Sequence, residues 1–432
     1  MTDKRALLRR AFDAAVAAAD PGTAVKPHLP EHRARGRIIV LGMGKAAAPM
    51  AAAVEEHYRE RGASVEGTVV TRYDHAVPLR HLTCLEAGHP VPDRASQAAG
   101  EELLAAADAA GDDDLVLVLV SGGGSALACA PLPGLGLAGK QAVTEELLRS
   151  GADITEVNLV RKHLSLLKGG RLAARAAPAR VLALVISDVV GDDLAAVASG
   201  PTVSDGSGPA DALEVLERYS LHAPAARAAL EAAASGGPGA APDPGDASLE
   251  RVETRLVASN QASLEAARAL VEQAGYTALV LSNALVGEAR EAGGFHAAIA
   301  LQALAHGQPA SPPLALLSGG ETTVTVRGEG GRGGRNSEFA LGLALALPAG
   351  APVSALAADS DGIDGYGGHA GAFVSEELLR VLDRRAARDA LARNDSYAVF
   401  ERSDHLLVTG PTRTNVNDVR VVLVGDPAAP MR

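Results

Sequence analysis

The chain has 432 residues, 47% hydrophobic and 21% charged, a balance that excludes disorder and at this length points to two or three domains. A net charge of −12, from 52 acidic and 40 basic residues with no basic stripe among aromatics, argues against nucleic acid as a partner. No apolar run approaches the ~20 residues of a membrane span, and two cysteines, Cys84 and Cys129, are too few for a disulfide framework, so a soluble protein of the reducing cytoplasm is expected.

The opening stretch, MTDKRALLRRAFDAAVAAAD, reads as an amphipathic helix rather than a signal peptide. The strand predicted at Arg37–Leu41 ends in Gly42-Met43-Gly44-Lys45-Ala46-Ala47, a loose dinucleotide fingerprint that opens a helix over Ala46–Arg61. The acid expected for a ribose is missing, because the next strand, Gly67–Thr71, is followed by Arg72 and only later by Asp74. The P-loop spacing also fails. What remains is Lys45 beside Gly44 at a helix N-terminus, suited to an anionic oxygen; an exposed lysine on a tight turn is the plainer alternative.

After a helix over Ala95–Ala110, Leu115–Val120 is a run of six apolar residues, the mark of a strand buried on both faces of a parallel sheet. Ser121-Gly122-Gly123-Gly124-Ser125 follows it. Glycines there let the backbone approach a ligand, amides can face an anion, and a helix beginning beneath would add its dipole. Residues 156–170 are read as one helix ending at Gly169-Gly170, with Arg161 and Lys168 on one face and Asn158 and Lys162 on another. Such a basic face suits phosphate or carboxylate, although the macrodipole also favours cations late in a helix. The strand Val181–Ser187 leads into Asp188 and Asp192, acids at a strand end that suit Mg²⁺ or, more plainly, a turn. Strands alternating with alanine-rich helices predict an α/β fold with a parallel sheet.

The Gly/Pro/Asp-rich stretch 235–248 is the expected boundary between domains 1–245 and 250–432. Strands are predicted beyond it at Thr254–Ala258, Thr277–Leu281, Leu314–Leu317, Thr322–Val326, Val353–Ala358, His405–Val408 and Val419–Val424, the last free to return to the first domain. Ser318-Gly319-Gly320-Glu321 echoes the first glycine loop, and Arg332 and Arg335 among glycines before a helix form a plausible anion clamp. Asp359, Asp361 and Asp364 crowd six residues without an EF-hand pattern, and Asn415 lies in a polar turn before the last strand. Metal-binding acids, placed cations and little covalent chemistry are what phosphoryl transfer requires.

Taken in order, GMGKAA (42–47), VSGGGSAL (120–127), VNLVRKHLSLLKGG (157–170), SDVVGDD (187–193), ASGPT (198–202), SGGETTVTV (318–326), GRGGRNSEFAL (331–341), DSDGIDG (359–365) and GPTRTNVNDV (410–419) resemble the class II glycerate kinases, whose C-terminal part is the MOFRL domain. The resemblance implies a larger Rossmann-like N-terminal domain, a smaller α/β domain and an active-site cleft between them. It implies transfer of the γ-phosphoryl of ATP to the 2-hydroxyl of D-glycerate, with Mg²⁺ assisting. Carried onto this chain, Lys45 and Arg335 become catalytic cations and Asp188 a catalytic or metal-binding acid. Substrate or nucleotide contacts are expected at Gly44, Ser121, Gly122, Gly123, Gly124, Ser125, Asn158, Arg161, Lys162, Lys168, Gly319, Gly320, Glu321, Asn336 and Asn415, with metal at Asp192 and Asp361. A homodimer is the candidate assembly. The rival readings are an NAD(P)H-dependent hydroxypyruvate reductase, opposed by the missing ribose acid and the lack of an obvious histidine acid, and an inactive small-molecule sensor.

Overall fold

The computed structural model describes residues 3–31, 35–327, 331–365 and 368–427. The chain folds as two units, one from Pro21–Val257 and one combining Met1–Asp20 with Ala258–Arg432.

The first unit is built on β1 (Ile38–Met43), β2 (Glu66–Arg72), β3 (Thr83–Ala87), β4 (Leu115–Val120), β5 (Arg180–Ile186) and β6 (Val252–Ala258), in spatial order β3-β2-β1-β4-β5-β6. β1 runs parallel to both β2 and β4, and β2–β3 and β4–β5 are parallel pairs. Strand order reverses between β1 and β4, and ligands of doubly wound sheets bind where carboxyl ends splay apart at that reversal. Every residue of β1 and β4 is buried, as their unbroken apolar runs require. Ala99, Leu103 and Ala107 from the helix Arg94–Asp108 pack into the same core, where small side chains let the helix lie close to the sheet.

The second sheet comprises β7 (Thr277–Leu285), β8 (Leu314–Gly320), β9 (Val353–Asp359), β10 (Gly371–Val374), β11 (Leu406–Leu407) and β12 (Asp418–Val424), ordered β11-β10-β9-β12-β8-β7. β7 and β8 are parallel; β12 lies antiparallel between β8 and β9. The last strand thus stays within its own sheet, where all seven of its residues are buried.

Three expectations are revised. β6 joins the first sheet, and residues 235–248 are a loop of that unit, held by Arg171 Nε donating to the Gly239 carbonyl at 2.9 Å and Ser204 Oγ donating to that of Pro242 at 2.6 Å. The opening helix, Lys4–Ala18, packs Leu7, Leu8 and Phe12 into the core of the second unit with Leu264 and Val271. Thr322–Val326 is no strand; Thr323 makes a single bridge to Glu288.

Candidate active site

At the strand-order reversal the loops after β1 and β4 are stitched together. Ser121 N–H donates to the Met43 carbonyl at 3.0 Å, Lys45 N–H to that of Gly122 at 2.9 Å, and Ala46 N–H to Ser121 Oγ at 3.0 Å. Ser121 is therefore a clasp, buried and already accepting a hydrogen bond. Gly44, at φ +129°, crosses so close to Ser121 that any Cβ would overlap its backbone and hydroxyl. Lys45 stands half-buried just before the helix Ala47–Glu60, as its sequence position implies.

The glycine loop does approach other groups closely. A Cβ on Gly122 would collide with the Asp188 carboxylate, so that acid lies directly against the loop backbone. A Cβ on Gly123 would sit 3.0 Å from the His89 ring and 3.5 Å from Lys45 Cγ. Lys45, His89 and Asp188 thus converge on Gly122-Gly123. His89 follows β3, the parallel edge strand whose sequence, Thr-Cys-Leu-Glu-Ala, carries no alternation, and sequence reasoning missed it. Burial, then the charges of Lys45, Arg72 and Arg161, push its imidazole down to about 4, so it is neutral near pH 7. The expected dipole is not supplied, because the helix after the loop is only Gly124–Leu127.

The stretch 156–170 is not one helix. It is helical over Ile154–His163 and then irregular, since Leu166 N–H bonds to the Ala130 carbonyl at 2.8 Å and Gly169 N–H to that of Ser199 at 3.0 Å. Lys168 therefore shares no helix face with Arg161. It is buried beneath the glycine loop, where Nζ donates to the Ser125 carbonyl at 3.0 Å and to Ser125 Oγ, which lies 3.2 Å from Ser199 Oγ. Lys162 is committed to an ion pair with Asp205. Burial works against ionisation of Asp205, yet hydrogen bonds from Lys162 and Ser207 bring it down to about 2. Asn158 is exposed and accepts from Arg161 Nη1 at 3.2 Å. Asp192, half-exposed in a left-handed turn at φ 56°, follows Asp188 by four residues. Among the described residues no group of three or more His, Cys, Asp or Glu is placed to hold a metal unaided.

In the second unit the expected anion clamp is already filled. Arg335 pairs with Glu321, and its Nη2 lies 2.7 Å from Asp359 Oδ2 and 3.7 Å from Asp418 Oδ1. Burial opposes its charge, but those three carboxylates raise its pKa further above the ordinary value. Asp359 goes the other way for an acid: burial, then Asp361 and Asp418, push it well above the usual carboxylate range despite Arg335. Gly319 and Gly320 are not a loop but the buried end of β8, with Gly319 pressed on the Asn260 amide. Asn336 is buried and donates to Asp418 at 2.7 Å, while Asp364 accepts from the backbone of Asn336 and Ser337 at 2.9 and 2.8 Å, capping the helix Arg335–Ala346. Asn415 Oδ1 accepts from Asn417 N–H at 3.1 Å and Asp361 Oδ1 from Ile363 N–H at 2.8 Å, both local turns.

Comparison with known proteins matches residues 7–232 to the family described as "Domain of unknown function (DUF4147)" and residues 314–418 to the MOFRL family. An Agrobacterium vitis protein with the provisional name hydroxypyruvate reductase is 48% identical over 98% of this chain and 94% of its own. A D-glycerate 2-kinase of Thermotoga maritima is 40% identical over 94% of each chain. The crystal structure of a glycerate kinase from the same organism superposes with a TM-score of 0.89 and 39% identity, covering 98% of this chain and all of that one. The chain belongs to the glycerate kinase family that joins a DUF4147 domain to a MOFRL domain.

Proposed function

We propose that the chain phosphorylates D-glycerate at the 2-hydroxyl with ATP, giving 2-phosphoglycerate and ADP. The observation that carries this is the convergence of Lys45 and Asp188 on Gly122-Gly123 at the reversal point of the first sheet, in a chain 40% identical to a D-glycerate 2-kinase. The substrate oxygen attacks the γ-phosphorus as the bond to the β-phosphate oxygen breaks. Asp188 takes the hydroxyl proton, and Lys45 neutralises charge spreading over the phosphoryl oxygens. Mg²⁺, which favours one or two carboxylates with substrate phosphates, would be held by Asp192 and the nucleotide and would supply further neutralisation. Asp361 is the weaker candidate, since its carboxylate already closes a turn.

A second reading, reduction of hydroxypyruvate, is favoured by His89 beside Lys45, the histidine that sequence reasoning did not find. Against it, β2 ends in Arg72, where a ribose-binding acid would stand. The test is an assay with ATP, Mg²⁺ and D-glycerate coupled through enolase without phosphoglycerate mutase. A signal is expected, and it identifies the 2-position because enolase takes only 2-phosphoglycerate. Recovery only on adding mutase would move the reaction to the 3-hydroxyl; silence with NAD(P)H consumed on hydroxypyruvate would establish the reductase. ATP as donor, Mg²⁺ and a cytoplasmic setting are part of this proposal; among the described residues, no helix is long and apolar enough to cross a membrane.

A further inference from the structure

Behind Ser125 lie two basic side chains, Lys140 and Lys168, to which no carboxylate is hydrogen-bonded among the described residues. Lys140, on the helix Gly136–Ser150, is 4% exposed, and its Nζ is buried without a hydrogen-bond partner among the described residues. Lys168 is 1% exposed, and its Nζ hydrogen-bonds to the carbonyl and hydroxyl of Ser125. The cations that bear most on Lys140 are Arg161 and Arg171, and those on Lys168 are Lys140, Arg161 and Lys162; no carboxylate acts on either as strongly. Burial followed by the neighbouring cations pushes Lys140 down to about 8 and Lys168 well below its ordinary value. Nearby Lys162 shows the contrast, having Asp205 as its partner. A buried, unpaired ammonium is costly, and a fold that keeps one at the base of a glycine loop holds a place for an anion.

We propose that Lys140 and Lys168, behind Ser125, and half-buried Arg161 form the binding site for the carboxylate of the small hydroxy acid, occupied without nucleotide. The substrate identity rests on the function proposed above; the site itself rests on these residues. Lys168 donates to Ser125 Oγ, leaving the serine's own proton for Ser199 Oγ or the ligand. Within one loop, Ser125 would take the carboxylate, and Gly122-Gly123 would present the adjacent hydroxyl to Asp188 and the incoming phosphoryl to Lys45. Lys140 supplies charge from behind and is a positioning residue.

The test measures binding to the whole chain in the absence of ATP, by calorimetry and thermal denaturation, with D-glycerate, glycerol and inorganic phosphate as probes. D-glycerate is expected to bind and raise Tm, and glycerol, which keeps the hydroxyls but lacks the carboxylate, to do neither. Lys140→Met is expected to raise the Tm of the unliganded protein while weakening D-glycerate at least ten-fold with the KM for ATP unchanged. A stability gain with an affinity loss is something a merely structural lysine would not give. Arg161→Met, at a half-buried position, is expected to weaken D-glycerate similarly and keeps the test open if the lysine variant does not fold. D-glycerate binding within two-fold of the parent in both variants overturns the proposal. So does a Lys140-dependent response to inorganic phosphate but not to D-glycerate, which would mark a nucleotide subsite. A silent kinase assay alongside Lys140-dependent binding of D-glycerate would uphold this site and remove phosphoryl transfer instead.

Discussion

Arg335 Nη2 lies 2.7 Å from Asp359 Oδ2 and 3.7 Å from Asp418 Oδ1, two carboxylates that are 3% and 0% exposed. A cation so placed holds a core together, whatever else it does. Removing one partner of a fully buried pair costs about 3–5 kcal/mol, and less where, as at Arg335, one partner is 29% exposed. Arg335→Met is therefore expected to lower stability in urea unfolding by less than about 3 kcal/mol, and adding Asp359→Asn to restore part of the loss. An unchanged unfolding midpoint with lost activity would return Arg335 to a purely catalytic role.

Gly122 and Gly44 separate function from folding in the same site. The clash awaiting Gly122→Ala is with the Asp188 carboxylate, a side-chain end that can swing away, so activity should fall more than ten-fold with stability within ~2 kcal/mol of the parent. The clash awaiting Gly44→Ala is with Ser121 backbone, at φ +129°, and that variant should fold poorly. Steady-state kinetics beside thermal melts would reveal the split; equal stability losses would contradict it.

Lys45→Ala should lower kcat by at least ~10², the scale of losing one donor to developing charge, with the melting temperature little changed. Near-parental kcat would remove Lys45 from the chemistry.

His163 sets a pH dependence of stability. Its Nδ1 faces Arg171 Nη2 at 3.0 Å, so Nδ1 must accept, and Nε2 meets Ser207 Oγ at 2.9 Å. Burial, then Arg171 and Lys162, push it from an ordinary 6.5 down to about 3. The unfolded chain thus takes up a proton that the folded chain refuses. Stability is full above about pH 6.5 and declines as pH falls toward 3, by up to about 1.4 kcal/mol per pH unit. Unfolding in urea at pH 7, 6, 5 and 4 should show that decline, and His163→Gln a shallower one. His89 and His296, each pushed down to about 4, keep it from vanishing. An identical slope in the variant would exclude His163 as the source.

How legible was all this? β1, β4 and β5 could be read because a strand buried on both faces writes itself as an unbroken apolar run, and Lys45, the glycine loop and Asp188 follow such runs directly. β3 is short and half-buried, and His89 was lost with it. The break after His163 has no glycine or proline to announce it; it is imposed by carbonyls of Ala130 and Ser199, distant in sequence. Lys140 sits mid-helix with no local sign of its isolation. Arg335 among glycines looked available, because its three acids come from separate segments of the second unit.

The opening helix Lys4–Ala18 belongs to the unit that resumes at Ala258, so the Rossmann-like unit is an insertion within the other's chain. Evolution and protein engineering face the same consequence. The MOFRL segment 314–418 cannot be excised as a module, since it would leave behind β7, most of β12 and the helices that cover its core. The inserted segment 21–257, by contrast, begins and ends at its two crossings and is the piece that could be exchanged whole between relatives.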